Sequence, residues 1–384
     1  MRDFKLLALW LAPLGLAAVA SPAIADPVPY LPMSGPLSAN ANPTKLDAGP
    51  LGNIYVTGAM TGLAQYQDRA VPGDDTTLAD LSNGQVFVQK TDGPLQFFVE
   101  AGVYSLPDLG YPYTKAVTTT RNLYGVVPQA FIKIAPKGDF SLLFGKLPTL
   151  IGAEYTFSFQ NMNVERGLLW NQENAVNRGI QANYAHGPVS VSVALTDGFY
   201  SKRFNWIFAS LGYALDKKNS LTLVGGGNVG HTAYSSAATP ILQNNGEIYN
   251  LIYTHTAGPW IVQPYLQYTR VHAEPALGIP RGASTYGAAL LLKYSVSKVF
   301  SLAARAEYIA QSGSRGGTTP SLLYGPGSEA WSLSFTPTYQ KGIFFVRGEA
   351  SHVGIGDLTP GYGFGSSFTS KSQNRLLLEG GFLF

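Results

Sequence analysis

Short segments of alternating polarity, about ten residues each, recur from about residue 51 to the end of the chain. In one of them Val189, Val191, Val193 and Leu195 alternate with Ser190, Ser192, Ala194 and Thr196. Side chains on a β-strand point alternately to its two faces, so each segment predicts a strand with one apolar and one polar face. No later segment reaches the 18 or so uninterrupted apolar residues of a transmembrane helix. Such a chain can still span a membrane as a closed barrel, which pairs every backbone polar group.

Short turns and long loops alternate along the chain. Seven turns have Gly, Pro, Asp, Asn or Ser chemistry and lie at 91–94, 136–139, 186–188, 216–219, 256–259, 295–298 and 340–342. Longer stretches lie near 67–84, 103–125, 148–176, 198–205, 228–246, 271–284, 311–328 and 352–373. Seven hairpins, a first strand near 51–66 and a last near 373–384 make about sixteen strands. The sequence therefore predicts an all-β fold, a transmembrane antiparallel β-barrel with short periplasmic turns and long extracellular loops.

Aromatic residues recur eight positions apart on four predicted strands. The pairs are Trp260 and Tyr268, Tyr286 and Tyr294, Phe300 and Tyr308, and Trp331 and Tyr339. Eight residues of tilted strand rise roughly 20 Å, close to the height of an apolar band between two aromatic girdles. A soluble β-sandwich does not explain rings at two fixed heights, so we expect this face to meet outer-membrane lipid. Pro264 and Pro337 lie mid-strand on the same face, and the sequence leaves open whether a bulge forms there.

The first 50 residues differ in composition from the rest. Residues 1–25 predict a cleaved secretory signal peptide, because Arg2 and Lys5 precede an apolar stretch that ends in a small-residue cleavage pattern at 23–25. That stretch is too short for a membrane anchor. Residues 26–50 contain six prolines and predict an unstructured lead-in, and residues 51–384 predict the barrel.

Charged residues occupy inward positions on the late strands. They are Arg305, Glu307, Arg347, Glu349, Arg375 and Glu379. On the lipid face each charge would cost about 2–4 kcal/mol near mid-depth, so the lumen must hold water. We interpret these six as pore-lining residues that filter solutes; ion pairs that brace the wall are an equal alternative.

The long stretch 148–176 is unusually rich in aromatic and acidic residues. We expect it to fold inward and narrow the pore, and its constriction candidates are Glu154, Glu165, Arg166 and Glu173. The alternative is an external cap with no role in conduction.

Catalytic and metal-binding patterns are missing from the sequence. The five histidines are scattered, and neither a Gly-x-Ser-x-Gly nor a His-Glu-x-x-His motif occurs. Without Cys or clustered His we predict no metal site, no cofactor and no enzyme activity. A formal net charge of +3 leaves no basic excess for nucleic acid.

Two segments resemble known outer-membrane proteins. Residues 144–154, Phe-Gly-Lys-Leu-Pro-Thr-Leu-Ile-Gly-Ala-Glu, resemble the "putative β-barrel porin" (OmpL-like) family. The C-terminal segment Leu376-x-Leu378-x-Gly380-x-Phe382-x-Phe384 resembles the last strand of outer-membrane barrels, although Gly380 departs from the usual apolar run. This resemblance implies that Phe382 and Phe384 form the signal for the barrel-assembly machinery. It also implies passive diffusion of small hydrophilic solutes, often through a homotrimer, and supplies no residues for a particular sugar or ion.

Two functions fit these observations. The first is a porin in the outer membrane of a Gram-negative bacterium, because sixteen strands enclose an aqueous channel. The alternative is a non-conducting barrel that acts as an adhesin or receptor through its loops.

Overall fold

The structure, a computed structural model, describes residues 33–384. Its strands are β1 Thr44–Asp47, β2 Asn53–Gln67, β3 Thr77–Lys90, β4 Leu95–Tyr104, β5 Ala130–Ile134, β6 Phe140–Pro148, β7 Val176–His186, β8 Val189–Thr196, β9 Trp206–Ala214, β10 Asn219–Asn228, β11 Gly246–Ala257, β12 Trp260–Val271, β13 Ala283–Ser295, β14 Phe300–Gln311, β15 Glu329–Lys341, β16 Phe344–Gly356 and β17 Ser372–Leu383. The α-helices are α1 Ala116–Asn122 and α2 Ile241–Asn244, and 3-10 turns span Gly49–Leu51, Ser158–Gln160, Trp170–Gln172 and Pro275–Leu277. Within residues 33–384, no helix is long and apolar enough to cross a membrane.

Strands β2 to β17 form one closed antiparallel barrel. Each pairs with the next along the chain, and β17 pairs with β2, so sixteen strands close on themselves. The closing seam reaches the last residue, because the Phe384 amide donates to the Gly58 carbonyl (3.0 Å) and the Gly58 amide donates back (2.7 Å). The short β1 pairs with the start of β2 at the short-turn end. The predicted sixteen-stranded antiparallel barrel is confirmed.

Connections alternate in length as the turn chemistry predicts. All seven predicted turns join consecutive strands, and longer loops cover 68–76, 105–129, 149–175, 197–205, 229–245, 272–282, 312–328 and 357–371. The first loop is shorter than predicted because β3 begins at Thr77. Residues 82 and 83 look loop-like in the sequence, yet they form a bulge whose side chains bond Thr61 across the inner face (Ser82 Oγ to Thr61 Oγ1, 2.6 Å).

The eight girdle aromatics point outward and meet across strands at two heights. The register aligns Trp260 with Tyr294, Tyr268 with Tyr286, Phe300 with Tyr339, and Tyr308 with Trp331. Trp260 and Tyr294 are in ring contact, with centroids 4.6 Å apart. This is the arrangement expected of two aromatic girdles.

Neither mid-strand proline forms a bulge. Pairing between β11 and β12 pauses at Pro264, and pairing between β15 and β16 pauses at Pro337, but both ladders resume in the same register. Each proline pairs without a break on its other side, with Leu290 and Leu302 respectively. The missing N–H therefore costs local hydrogen bonds without changing which side chains face the lumen.

The described part of the lead-in is ordered, in contrast to the unstructured segment expected from its prolines. The Ser34 amide donates to the Gln160 carbonyl (2.8 Å), and Ser38 exchanges two hydrogen bonds with the Gln340 side chain (2.8 Å each). Leu37 is buried between these anchors. Residues 33–38 thus run from the barrel interior to the short-turn end. The predicted signal peptide lies outside the described residues.

Candidate functional site

Residues 149–175, here called the inner loop, cross the lumen. Their backbone amides and side chains bond inward-facing residues on strands from β11 to β17. The contacts include Gly152 N to Asn250 Oδ1 (3.1 Å), Asn163 Nδ2 to Thr336 Oγ1 (2.7 Å), Val164 N to Glu349 Oε2 (2.6 Å), Leu168 N to Glu307 Oε2 (3.0 Å) and Ser158 Oγ to Glu379 Oε1 (2.5 Å). The loop therefore lies inside the barrel and is not an external cap.

The inner loop is held in shape by its own side chains. The Asn161 side chain accepts from the Tyr155 amide (2.6 Å) and donates to the carbonyls of Tyr155 and Phe157 (2.8 Å each). Arg166 donates from Nε to Asp108 Oδ1 (3.0 Å), and its guanidinium stacks 4.5 Å from the Trp170 ring. Asp108 belongs to the neighbouring loop 105–129, so two loops pack together within the lumen.

Buried ion pairs join the wall to the inner loop. Arg305 forms ion pairs with Glu154 of the loop (2.7 Å) and Glu307 of its own strand (3.2 Å), with all three side chains at most 1% exposed. The other pairs are Arg375 with Glu165 (2.6 Å), Arg347 with Glu379 (2.6 Å) and Arg166 with Asp108 (3.0 Å). Five of the six wall candidates thus form ion pairs, and two pair directly with loop candidates.

The sixth wall candidate, Glu349, binds the loop backbone. Its carboxylate accepts from the amides of Val164 (2.6 Å) and Glu165 (3.1 Å) and from the Thr336 hydroxyl (2.7 Å). Glu307 acts in the same way toward Leu168 and Leu169. Hydrogen bonds to a charged group each contribute about 1.5–3 kcal/mol, so these two carboxylates fix the depth of the loop.

Aromatic residues line the neighbouring part of the lumen wall, beyond the seam between β17 and β2. Phe87, Phe98 and Phe131 on β3, β4 and β5 stack in sequence, with centroids 6.1 and 5.5 Å apart. The loop residues Phe157 and Phe159 pack on this wall, with Phe159 6.2 Å from Phe87. Sequence reasoning assigned the inner face a polar character and missed this surface. The recurrence of Phe at inward positions on three consecutive strands was the available signal.

The remaining predicted residues take separate places. Glu173 is buried at the end of the inner loop, outside the ion pairs among residues 33–384. Phe382 faces outward 6.0 Å from the Phe344 ring, and Phe384 lies at the closing seam. Within the described part of the chain, no group of three or more His or acidic side chains is arranged to hold a metal ion.

Solved structures share this fold at low sequence identity. OmpT of Vibrio cholerae, expressed in the outer membrane, is 12% identical over 89% of this chain and 100% of that chain, with a TM-score of 0.59. The outer membrane channel DcaP of Acinetobacter baumannii is 10% identical over 86% and 97%, with a TM-score of 0.59. OmpF of Salmonella typhi, in complex with daunomycin, is 12% identical over 89% and 100%, with a TM-score of 0.56. At these identities they establish the fold alone.

A family model also matches the sequence, although no curated protein does. The family is described as "Putative beta-barrel porin-2, OmpL-like", and the match spans residues 53–384, from the start of β2 to the last residue. Family and fold together point to a channel rather than an enzyme. The chain belongs to this family of porins, and it is an integral β-barrel of the outer membrane.

Proposed function

We propose that the protein is a diffusion channel for small hydrophilic solutes or ions. The observation that carries this proposal is a set of buried, inward-facing polar groups with no hydrogen-bond partner in the described structure. They include side-chain atoms of Thr57, Gln65, Gln89, Ser210 and Thr338. Leaving such groups unsatisfied costs about 1–3 kcal/mol each, so we infer that water enters the lumen and hydrates them. A hydrated lumen is what passive diffusion requires.

The inner loop sets the width of the proposed pore. Glu154, Glu165, Arg166 and Glu173 are its constriction residues, and Arg305, Glu307, Arg347, Glu349, Arg375 and Glu379 line the wall against which it docks. The charged part of the wall and the adjoining phenylalanines give a solute two unlike surfaces. We expect charge and size to decide which solutes pass, with the solute gradient as the driving force.

Liposome swelling tests this function. Purified, folded protein in liposomes should cause swelling in a monosaccharide, and the rate should fall as the sugar grows to a trisaccharide. Protein-free liposomes are the control. Folded protein that leaves the swelling rate at the control value would contradict the proposal.

A non-conducting barrel that acts through its loops is the second candidate. It is favoured by one observation: Arg305, Arg347 and Glu379 are covered by the inner loop and at most 2% exposed. In this case no sugar would cause swelling, and the outer loops would carry adhesion or receptor function.

We further infer a Gram-negative source, a girdle of outer-membrane lipid and assembly as a homotrimer. One solved structure of similar fold, in-vitro folded OmpT of Vibrio cholerae, is a trimer form. Cross-linking of the native membrane fraction, followed by gel electrophoresis, tests the trimer. A monomer-sized product alone contradicts it.

A larger side chain at the closing seam should impair assembly of the barrel. A side chain at Gly58 would overlap the Phe384 ring, so Gly58→Val should displace the terminal aromatic residue and lower the yield of folded barrel. Gly62→Val is the matched control, because Gly62 lies on the same strand and face and its nearest neighbour there is 3.8 Å away. The heat-dependent gel shift of folded barrels measures the yield. Equal yields for both variants would show that the seam tolerates the change.

Residues 33–38 should narrow the lumen further than the barrel and the inner loop do alone. Gly35 lies so close to the inner loop that a Cβ there would be 2.8 Å from the Asn161 carbonyl oxygen. Gly35→Val should displace residues 33–38 and raise single-channel conductance modestly, and deletion of these residues should do the same. Ser38→Ala is the control because the bonds of Ser38 to Gln340 use its backbone. Unchanged conductance in both the Gly35→Val and deletion variants would exclude a role for the segment.

A further inference from the structure

Glu173 is a carboxylate buried without a partner. The residue is 7% exposed, and neither carboxylate oxygen has a hydrogen-bond partner among the described residues. Its place is fixed, because its amide donates to the Trp170 carbonyl (2.8 Å) and its carboxylate rests on Gly152. Any side chain at residue 152 would overlap that carboxylate, and φ is +82° there. An unpaired charge buried here is costly, so this carboxyl either takes up a proton or binds a cation.

The neighbouring charges do not supply that counterion. Glu154 and Glu307 face Glu173, and the guanidinium of Arg305 is already bound to both (2.7 and 3.2 Å). Three carboxylates therefore share one cation. Burial raises the pKa of Glu173 well above its usual range, and Glu154 and Glu307 raise it further. A positive charge beside Glu173 would relieve both effects.

Tyr265 places a hydroxyl oxygen beside the same carboxylate. It faces inward on β12, is 1% exposed, and its hydroxyl has no hydrogen-bond partner within residues 33–384. It lies close enough to Glu173 to lower the pKa of that carboxyl, against the larger effect of burial. The nearby amide of Gln267 is already used, since it donates to the Leu169 carbonyl (2.8 Å). Carboxylate and hydroxyl oxygens are the groups that hard cations and ammonium groups bind.

We propose that Glu173 and Tyr265 form a subsite for a monovalent cation, either an inorganic ion or the ammonium group of a permeating solute. The inference rests on the proposed channel function and names the class of solute that the constriction favours. A cation at this subsite balances the acidic cluster of Glu154, Glu173 and Glu307 as it passes the inner loop.

Reversal potentials in a KCl gradient test the subsite. Wild-type protein in a planar bilayer should prefer K⁺ over Cl⁻, and Glu173→Gln should lower the permeability ratio about tenfold, because the local charge no longer concentrates cations. Tyr265→Phe should lower the ratio by less and in the same direction. Asp357→Asn, in an exposed outer-loop position where Asn also tolerates the positive φ, should match wild type. The heat-dependent gel shift confirms that each variant is folded.

The outcomes separate the subsite from the channel. Equal permeability ratios in conducting wild type, Glu173→Gln and Tyr265→Phe overturn the subsite and leave the channel intact. A wild-type barrel that does not conduct overturns both. Replacing KCl by ethylammonium chloride on one side shows which kind of cation the subsite favours. Ethylammonium permeability above that of K⁺ indicates amine-bearing solutes, and the reverse order indicates an inorganic cation.

Discussion

Replacing residues 150–174 with a short turn should raise the single-channel conductance several-fold. The inner loop crosses the lumen of a sixteen-stranded barrel, and a barrel of this size without such a loop encloses a wide aqueous channel. The ends of the loop are already neighbours, because Pro148 pairs with Val176 across β6 and β7. A tight turn can therefore close the hairpin without disturbing either strand.

The control for this deletion is a loop outside the lumen. Shortening 272–282, which joins β12 to β13 at the long-loop end, should leave the conductance near the wild-type value. The inner-loop deletion should also pass larger sugars in the swelling assay. If the deleted and wild-type barrels have the same conductance, the inner loop does not limit the pore.

Arg305→Met should destabilise the docked inner loop by about 3–5 kcal/mol, because it leaves the buried carboxylates of Glu154 and Glu307 without their counterion. The substitution also removes the hydrogen bond from Arg305 Nη1 to the Glu165 carbonyl (2.6 Å). Urea unfolding should show the loss of stability. Single-channel records should show frequent fluctuations as the loop leaves the wall.

Two further variants test the cause of that loss. Arg281→Met, at an exposed outer-loop position, should change stability by no more than about 0.5 kcal/mol. The triple variant Arg305→Met, Glu154→Gln, Glu307→Gln removes the charges together and should recover most of the stability, since replacing a whole buried ion pair is often nearly neutral. If the triple variant is less stable than Arg305→Met, uncompensated charge is not the cause.

Local chemistry made the barrel predictable from sequence. The turns at 91–94 and 256–259, for example, carry Gly-Pro at the point where the chain reverses, and alternating polarity fixes the two faces of the flanking strands. The start of β3 was less predictable, because a strand facing a polar lumen has the same composition as a loop. Ser82 and Asn83 each hydrogen-bond Thr61, which is possible only once β2 and β3 are paired.

The interior of the barrel was predictable only in part. Composition singled out the inner loop and its charged residues, but their partners depend on contacts between residues far apart in the chain. Asp108, the partner of Arg166, belongs to another loop, and the order of residues 33–38 depends on Gln160 and Gln340. The stacked Phe87, Phe98 and Phe131 were missed because their rings meet only once β3, β4 and β5 are paired, and the inner loop covers them only once it folds into the lumen.

Single-channel recording from the purified, folded protein in a planar bilayer is the most direct test of the diffusion channel. The barrel should give discrete, stable conductance steps in symmetric salt, smaller than those of the variant without its inner loop. A reversal potential in a salt gradient should then show cation preference. Protein that is folded by its gel shift yet gives no steps would contradict the channel, and steps only after loop deletion would show a barrel that its inner loop holds shut.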